Sequence, residues 1–226
     1  MRIRRTEAPV GVRVRLAIDI TPLFGLRLRA AQLELRLPTE HELVELAHLA
    51  EQGVHPPDEM PFFVPWTDEI GEPGFVDGFV EFHRERRAAW EPDAWELLLG
   101  VWAGGALAGV QGALLTEPGV AETGSWLGQR FQRRGLGTAM RAAVLALLFD
   151  GLGFDAATSG AIAGNTASAR VSEKLGYEPA GEGTASPRGV PVRHRKFRIT
   201  RELWQARPRP AVEIAGLEPC LPLFGR

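Results

Sequence analysis

Hydrophobic and polar positions alternate with two different periods along this chain. Between Leu26 and Leu37, leucines partly alternate with arginines or other polar residues, which is typical of a strand or hairpin with one solvated face. Thr39 then begins a predicted helix, because its side chain can cap the first turn and Glu42 stands three residues on as a capping-box partner. The proline-rich stretch from Val54 to Gly74 predicts an irregular loop after that helix.

The later pattern predicts a group of strands bracketed by helices. A helix from Phe75 to near Trp90 precedes two apolar runs joined at Gly104-Gly105, a dipeptide suited to a two-residue hairpin turn. A third strand follows at Val120 to Leu127, and a strongly amphipathic helix covers Leu136 to Leu148. The remaining expected elements are a strand at Phe154 to Ile162, a helix at Asn165 to Leu175 closed by Gly176, a strand or hairpin at Val190 to Thr200, and an irregular tail at Arg207 to Arg226.

Composition and length narrow the class of protein. The chain has 226 residues, of which 45% are hydrophobic and 24% charged, as expected for one substantial globular domain. No apolar run approaches the roughly 20 residues that span a bilayer, and the first residues lack the apolar stretch of a signal peptide. Cys220 is the single cysteine, so no intrachain disulfide or cysteine-based zinc site is expected. We therefore expect a cytoplasmic protein without a metal, a membrane partner or a nucleic-acid partner.

Charge is divided unevenly between the two halves. The range from Thr39 to Glu96 holds three arginines against fifteen acidic residues, whereas the range from Arg130 to Arg201 holds twelve basic against five acidic residues. Solvated helix faces explain such a division without any ligand. Alternatively, the basic half holds an anionic ligand and the acidic segment faces a cationic one.

A glycine-rich segment, Gln-Arg-Arg-Gly-Leu-Gly-Thr at 132–138, lies between the third strand and the amphipathic helix. Its glycines permit a tight turn that exposes successive N–H groups, and the helix start adds about half a positive charge. Arg130, Arg133 and Arg134 add full charges. The segment therefore predicts a cradle for a phosphate-like anion.

Two nucleotide-binding motifs fit this segment poorly. A Walker loop requires lysine before its serine or threonine, whereas Thr138 follows glycine. A dinucleotide fingerprint requires a small third residue where Met140 stands. A nucleotide-binding module and a plain glycine turn before a helix remain as alternatives.

Two motifs in order resemble the GNAT superfamily of N-acetyltransferases. The segment 132–137 matches its pyrophosphate motif, Gln/Arg-x-x-Gly-x-Gly/Ala, and 124–127 resembles the Gly-Tyr-Trp-Leu strand of the ribosomal-protein N-acetyltransferase branch. Asn165 to Tyr177 resembles that branch's Asn-x-x-Ser helix, which ends in Gly-Phe. Further segments resemble an actinobacterial subgroup that includes a mycobacterial succinyltransferase: 53–58, 64–67 and Val212 to Gly225.

The resemblance implies an α+β GNAT fold, in which a mixed, mostly antiparallel central sheet with a splayed parallel strand pair is flanked by helices. It covers about 26–205, so we expect an N-terminal extension at 1–25, an acyltransferase domain at 26–205 and a C-terminal extension at 206–226. Four apolar tail residues are expected to cover a partner surface in a homodimer, namely Leu217, Leu221, Leu223 and Phe224.

The implied activity is acyl-CoA-dependent N-acyl transfer by direct attack of a primary amine on the thioester. Acetyl-CoA is the expected donor and succinyl-CoA the alternative; the acceptor is a small molecule or a peptide N-terminus, and the charge division favours a cationic amine. Many relatives carry tyrosine where Ser172 stands. A non-catalytic coenzyme A-binding sensor therefore remains an alternative.

The resemblance also implies site residues. Backbone groups near the end of the third strand would hold the pantetheine arm, the glycine-rich loop would wrap the pyrophosphate, and the Asn-x-x-Ser helix would contact the arm from the other side. The donor-binding residues expected on this basis are Trp126, Leu127, Gly128, Gln132, Arg133, Arg134, Gly135, Leu136, Gly137, Thr138, Asn165 and Ser168.

Three residues are candidates for catalysis. Glu122 is expected to relay the amine proton through water, although an ordinary strand glutamate is an alternative. Ser168 is expected to stabilise the leaving thiolate, with Ser172 second, although both hydroxyls could instead bond their own helix carbonyls. For the acceptor wall we expect contacts from His55, Asp58 and Trp66 in the proline-rich loop, with a turn-stabilising role of His55 as the alternative.

Overall fold

Nine strands and five α-helices make up the regular structure of residues 18–226, the part of the chain that the computed structural model describes. Most of the predicted N-terminal extension lies outside those residues. The strands are β1 Arg27–Ala30, β2 Leu33–Arg36, β3 Glu96–Ala103, β4 Ala106–Glu117, β5 Val120–Leu127, β6 Ala156–Ile162, β7 Glu178–Ala185, β8 Val192–Thr200 and β9 Glu213–Ala215. The helices are α1 Glu40–Glu51, α2 Phe75–Ala88, α3 Leu136–Ala146, α4 Thr166–Leu175 and α5 Arg201–Gln205.

All nine strands join one sheet in the order β7-β8-β6-β5-β4-β3-β2-β1-β9. Every neighbouring pair is antiparallel except β5 and β6, which are parallel. Along β5, Ser125 faces α3 and Trp126 faces α2, because successive side chains of a strand point to opposite faces. Helices therefore flank both faces, and the predicted mostly antiparallel α+β sheet with one parallel pair is confirmed.

Local sequence signals account for several element ends. The Gly104-Gly105 turn has positive φ at both residues, 57° and 83°, as predicted for the β3–β4 hairpin. Gly176 ends α4 with φ 88° and confirms the predicted left-handed cap. Helix α3 ends in a π-helical turn, Leu147–Gly151, before β6.

Side chains cap the start of α1 at two of its backbone N–H groups. Thr39 Oγ1 accepts from the Glu42 N–H, and Glu42 Oε2 accepts from the Thr39 N–H at 2.8 Å, so the predicted capping box is confirmed. Arg36 donates two hydrogen bonds to the same carboxylate, at 2.9 and 2.5 Å. The Arg36 hydrogen bonds lower the pKa of Glu42 to about 2.

Strand β7 was not predicted, because its sequence carries almost no apolar signal. The eight residues Glu178–Ala185 include one proline and two glycines, and most of them are exposed. Backbone pairing with β8 holds this strand at the edge of the sheet. The strand alternative expected for Val190 to Thr200 is confirmed by β8, which forms its hairpin with β7.

The tail is also more ordered than the sequence suggested. β9 pairs with β1, and Phe224 lies edge-on to Trp90 and Trp95 at ring distances of 5.4 and 5.0 Å. Leu223 is 7% exposed and its carbonyl accepts from Trp90 Nε1 at 2.8 Å. The tail thus buries Leu223 and Phe224 against its own chain, Leu217 and Leu221 are half-buried, and the homodimer stays a prediction.

Within residues 18–226, no helix has the length and hydrophobicity required to cross a membrane.

Candidate active site

The two parallel strands separate shortly after they begin to pair. β5 and β6 pair from Val120 with Ala156 to Glu122 with Thr158, and the pairing ends there. Residues 123–127 continue to pair with β4 on one side while they face a gap on the other. Because peptide groups at an unpaired strand edge can bond an extended ligand, the gap suits a chain-like molecule that carries its own amides.

The loop after β5 leads into a helix start with five free amides. The backbone N–H groups of residues 133–137 have no acceptor within residues 18–226, and no side chain caps α3 at Gly135. Arg133 and Gly135 take positive φ, 60° and 79°, and a left-handed residue next to right-handed ones forms an anion-binding concavity of N–H groups. With the positive end of the α3 dipole, these amides form a cradle for a phosphate or diphosphate.

The three arginines near this helix start differ in how they are engaged. Arg130 donates to Gln52 Oε1 at 2.7 Å and lies over the Phe131 ring. Arg133 and Arg134 are exposed, and neither forms a hydrogen bond or ion pair with any residue from 18 to 226. A guanidinium that binds no carboxylate of its own chain is available to a ligand phosphate, so these two arginines extend the cradle.

Gln132 has a structural role at the base of the loop. Its Nε2 donates to the Leu127 carbonyl at 2.8 Å and to the Val54 carbonyl at 2.6 Å. These bonds tie the loop to the end of β5 and to the segment that follows α1. Gln132 therefore positions the cradle, and its side-chain carboxamide bonds carbonyl groups that lie outside the free N–H groups.

The remaining loop and strand residues of the predicted donor site contribute mainly through the backbone. The Trp126 ring packs on Trp66 and Phe79, at 5.5 and 6.3 Å, so only its peptide group faces the gap. A Cβ at Gly128 would come within 2.8 Å of Leu49 Cδ1, so a glycine is needed where α1 packs against the strand end. Three further predicted residues are half-buried or buried beside these, namely Leu127, Leu136 and Thr138.

Asn165 and Ser168 lie at the start of α4. Asn165 Oδ1 accepts from the Ser168 N–H at 3.0 Å, and its Nδ2 donates to the Pro61 carbonyl at 3.3 Å. The carboxamide thus joins α4 to the proline-rich loop. The half-buried Ser168 hydroxyl bonds no residue of the described chain, so it is available to a ligand.

Ser172 is placed differently from Ser168. It is fully buried, and its Oγ lies 2.8 Å from Ser159 Oγ, 3.1 Å from Arg141 Nη1 and 3.3 Å from the Ser168 carbonyl oxygen. The alternative interpretation, a hydroxyl that bonds its own helix, therefore holds for Ser172. Its partners already fill its hydrogen-bonding capacity, which leaves Ser168 as the available hydroxyl of the pair.

A cavity of about 980 Å³ opens on the sheet face that carries Glu122. Strand pairing places one row of side chains across five neighbouring strands, namely Glu96, Leu114, Glu122, Thr158 and Arg198. Burial raises the pKa of Glu96, an effect that Arg86 at 3.6 Å partly offsets. Glu122 thus lies at the mouth of the gap, beside the last paired residue of β6.

The opposite wall of this cavity is basic. Alternate residues of β8 point into it: His194, Lys196 and Arg198. None of the three forms an ion pair with a residue of the described part. The cavity therefore carries acidic groups on β3, β4 and β5 and basic groups on β8, whereas the charge division suggested that an acidic segment alone would face a cationic ligand. The run of basic residues at 193–198 was the sequence signal for this row.

The proline-rich loop reaches the cavity through residues other than those expected. Phe63 and Val64 line it, and a Cβ at Gly160 would come within 2.7 Å of the Phe63 ring. His55 is engaged inside the loop, since its Nδ1 contacts the Pro56 carbonyl oxygen and its Nε2 contacts Thr67 Oγ1, both within 2.8 Å. His55 thus makes the contacts of the turn-stabilising alternative, and its contact with the acceptor stays a prediction.

The other two predicted acceptor residues also lie away from the cavity lining. Trp66 packs between Phe62 and Trp126, and Asp58 is exposed on the outer part of the loop. Residue types alone did not predict the aromatic packing under the loop, because its contacts join positions far apart in the chain. Within residues 18–226, no cluster of three or more metal-ligating side chains occurs.

Taken together, these groups provide an anion cradle, an unpaired strand edge and a cavity that meet where β5 and β6 diverge. Such an arrangement can hold a long ligand with a phosphate at one end and present its other end to Glu122. The chemistry that fits is attack on that end by a nucleophile in the cavity, with a carboxylate nearby to accept a proton.

Comparisons with known proteins agree with this geometry. A family model described as an acetyltransferase (GNAT) domain matches residues 32–178. Mycobacterium smegmatis RimJ in complex with CoA-disulfide is 16% identical, with a TM-score of 0.64 over 89% of this chain and 95% of that one.

Two further structures have the same fold. A GNAT-family acetyltransferase from Bacillus anthracis is 16% identical, with a TM-score of 0.62 over 78% of this chain and 99% of that one. RimL, a ribosomal L7/L12 alpha-N-protein acetyltransferase in complex with coenzyme A, is 14% identical, with a TM-score of 0.58 over 76% of this chain and 96% of that one. The family match covers well over half of the sequence, so the chain belongs to the GNAT family of acetyltransferases.

Proposed function

We propose that this protein transfers an acetyl group from acetyl-CoA to a primary amine by direct attack of the amine on the thioester. The observation that carries the proposal is the row of five free amides at residues 133–137 beside a gap between two diverging strands. Coenzyme A carries a diphosphate at the start of a long pantetheine arm with two amides. The diphosphate therefore matches the cradle, and the amides of the arm match the unpaired strand edge.

The chain's own groups divide the binding between them. The amides of 133–137, with Arg133 and Arg134, would bind the diphosphate. The peptide groups of β5 from Thr123 to Leu127 would bond the arm as a neighbouring strand does, and Ser168 would contact it from the α4 side. Gln132 and Asn165 fix the two flanking segments through the bonds that they already make.

We assign acceptance of the amine proton to Glu122 and a hydrogen bond to the departing sulfur to Ser168. An alkyl amine is mostly protonated at neutral pH, so it must lose a proton before it can attack. The Glu122 carboxylate lies at the mouth of the gap and would accept that proton, directly or through water. The Ser168 hydroxyl, free of other partners, would donate a hydrogen bond to the departing sulfur.

The acceptor that best fits the cavity carries both an amine and an anionic group. The amine would lie toward Glu122 and Glu96, while His194, Lys196 and Arg198 on the opposite wall would bind a carboxylate or phosphate. A peptide N-terminus with a nearby acidic group, or an amino acid, meets this description. A purely cationic amine would place no group against the β8 row.

Release of free thiol from acetyl-CoA, measured against a panel of amines, tests both parts of the proposal. The panel includes tripeptides that end in either a carboxylate or a neutral amide. We expect amine-dependent release that is at least several-fold faster with the carboxylate form, and a rate loss of about 100-fold or more for Glu122→Gln.

Binding without turnover of any amine would favour the sensor alternative, and binding of ATP or NAD in preference to coenzyme A would favour a nucleotide module. Succinyl-CoA, run in parallel with acetyl-CoA, identifies the donor. Mass spectrometry of the modified amine reads out which acyl group has been moved.

A further inference from the structure

Arg141 is a buried cation without a buried anion. It lies in the middle of α3 with 3% of its surface exposed, and none of the ion pairs among residues 18–226 includes it. Its Nη1 donates to Ser172 Oγ at 3.1 Å and its Nη2 to Ser125 Oγ at 3.3 Å, while its Nε is buried without a partner. Buried charges in proteins are usually paired, so an uncompensated guanidinium indicates a charge that arrives with a ligand.

The hydroxyls around Arg141 connect it to the gap between the parallel strands. Ser125 lies on β5 beyond the last residue that pairs with β6. Ser159 directly follows the last paired residue of β6 and lines the cavity, and its Oγ lies 2.8 Å from Ser172 Oγ. The guanidinium thus holds hydroxyls on both sides of the divergence, one of them through Ser172.

Other titratable groups face this region from the neighbouring elements. Tyr177, which follows α4, is buried near Arg141. Burial raises the pKa of its hydroxyl, which lies 3.0 Å from Thr123 Oγ1. Burial lowers the pKa of Arg141 itself. On the cavity side stand Glu96 of β3, Glu117 of β4, Glu122 of β5, and His194, Lys196 and Arg198 of β8. No carboxylate lies within ion-pair distance of the guanidinium among the described residues.

We propose that Arg141, acting through the Ser172 and Ser159 hydroxyls, stabilises the coenzyme A thiolate that forms when the thioester is cleaved. This inference rests on the proposed function. In that step the neutral amine nitrogen bonds to the thioester carbon, the carbon–sulfur bond breaks, and its electron pair leaves on sulfur. The ammonium proton has passed through Glu122 to water before the attack, and one of the two protons on the attacking nitrogen then goes to Glu122. As the thiolate forms, the Ser159 hydroxyl rotates from Ser172 to the sulfur and the Ser172 hydroxyl rotates from the Ser168 carbonyl to Ser159, while Arg141 stays the donor to Ser172. The negative charge on sulfur then has a buried positive charge at the end of a two-hydroxyl chain. Arg141 is a positioning residue in this scheme, because the hydroxyls make the contact.

The test compares coenzyme A with desulfo-coenzyme A, which lacks the sulfur, by calorimetry from pH 7.5 to 9. If the site stabilises the thiolate, the bound thiol has a lower pKa than the free thiol, so affinity rises with pH between the two values. We expect the affinity of coenzyme A relative to its desulfo form to rise about tenfold in the wild type, since one unit of pKa corresponds to a factor of ten. The ratio cancels the titration of any group that acts on both ligands alike.

Two variants separate this role from a purely structural one. Arg141→Met replaces the guanidinium with an apolar side chain of similar length, and Ser159→Ala breaks the hydroxyl chain while Arg141 and the core charge stay in place. Both are expected to bind desulfo-coenzyme A as the wild type does and to lose the rise with pH. If Arg141→Met fails to fold, Ser159→Ala carries the test alone.

A flat ratio in the wild type, or a rise that persists in Ser159→Ala, would overturn the inference. So would an unchanged rise in Arg141→Met together with a selective loss of succinyl-CoA over acetyl-CoA turnover, because Arg141 would then bind an acyl carboxylate instead. If neither coenzyme form binds the wild type, the proposed function itself fails, which is a different result from a flat ratio.

Discussion

Helices α1 and α3 both begin with backbone N–H groups that the helix cannot satisfy, but the chain treats the two starts differently. At α1, Thr39 and Glu42 bond each other's N–H groups, and Arg36 holds the Glu42 carboxylate. At α3, residues 133–137 leave every N–H free within the described part, and Gly135 offers no side chain that could cap. The capped start stabilises the fold, whereas the bare start beside two free arginines leaves its N–H groups open to an anionic ligand.

The largest effect should follow from giving α3 the carboxylate that it lacks. Gly137→Asp places an anion in the first turn of α3, where a Cβ would meet only Val171 Cγ2 at 3.5 Å. We expect coenzyme A affinity to fall about 100-fold, because the new carboxylate competes with the diphosphate and repels it. The free energy of unfolding should stay level or rise by about 0.5 kcal/mol, since an acid favours a helix start.

Gly137→Asn is the matched control for that variant, because it has the same size without the charge. Calorimetry with coenzyme A and thermal unfolding of both variants are the measurements. Equal binding by the Asp and Asn variants would show that the diphosphate does not use this helix start.

Removal of the arginines that extend the cradle should have a smaller effect on coenzyme A affinity. Arg133→Ala and Arg134→Ala should each weaken coenzyme A binding about tenfold, the loss expected when one charge-assisted hydrogen bond is removed. Arg130→Ala should leave affinity nearly unchanged, because Arg130 is already engaged with Gln52. Titrations at two salt concentrations add a second readout, since binding by the free arginines should weaken with salt. An equal loss in all three variants would mean that the difference in their engagement has no functional meaning.

The corresponding change at the start of α1 should lower the free energy of unfolding without changing coenzyme A affinity. Thr39→Ala removes the cap and is expected to lower the free energy of unfolding by about 1 kcal/mol. Coenzyme A affinity should be that of the wild type, because α1 starts far along the chain from the cradle and satisfies only itself. Denaturant unfolding and calorimetry on the same preparation test both statements. A loss of affinity that matches the loss of stability would remove the distinction between the two helix starts.

The smallest effect is a dependence on pH at the same α1 start. Arg36 holds the pKa of Glu42 at about 2, below its usual value of 4.5. The ionised carboxylate therefore contributes stability above about pH 4.5, and that contribution is lost as the pH falls from there toward 2. Glu42→Gln should flatten unfolding free energy across this window. If the variant and the wild type lose stability in parallel, Glu42 is not the group that titrates.

The sequence predicted these two helix starts for reasons that are local. A capping box and a glycine-rich turn are both short patterns, so Thr39 with Glu42, and the segment 132–138, were found without any knowledge of the fold. The alternation and helical spacing of apolar residues likewise located most strands and helices, because burial imposes those periods directly.

What the sequence did not predict depends on contacts between distant positions. Strand β7 is held by backbone pairing and carries little hydrophobic pattern, and Phe63 lines the cavity because the loop folds over Gly160. Arg141 is a charged residue within an apolar helix stretch, and its partners Ser125 and Ser172 come from two other elements. Such groupings arise from the fold, so residue type and spacing alone could not assemble them.

Two-dimensional nitrogen–proton NMR spectra report on each backbone amide and show whether coenzyme A binds at the bare start of α3. We expect large, saturable shifts for the amides of residues 133–137 and no change at residues 40–43 of α1. If saturating coenzyme A left the 133–137 amides unshifted while calorimetry showed binding, the diphosphate would not lie in this cradle.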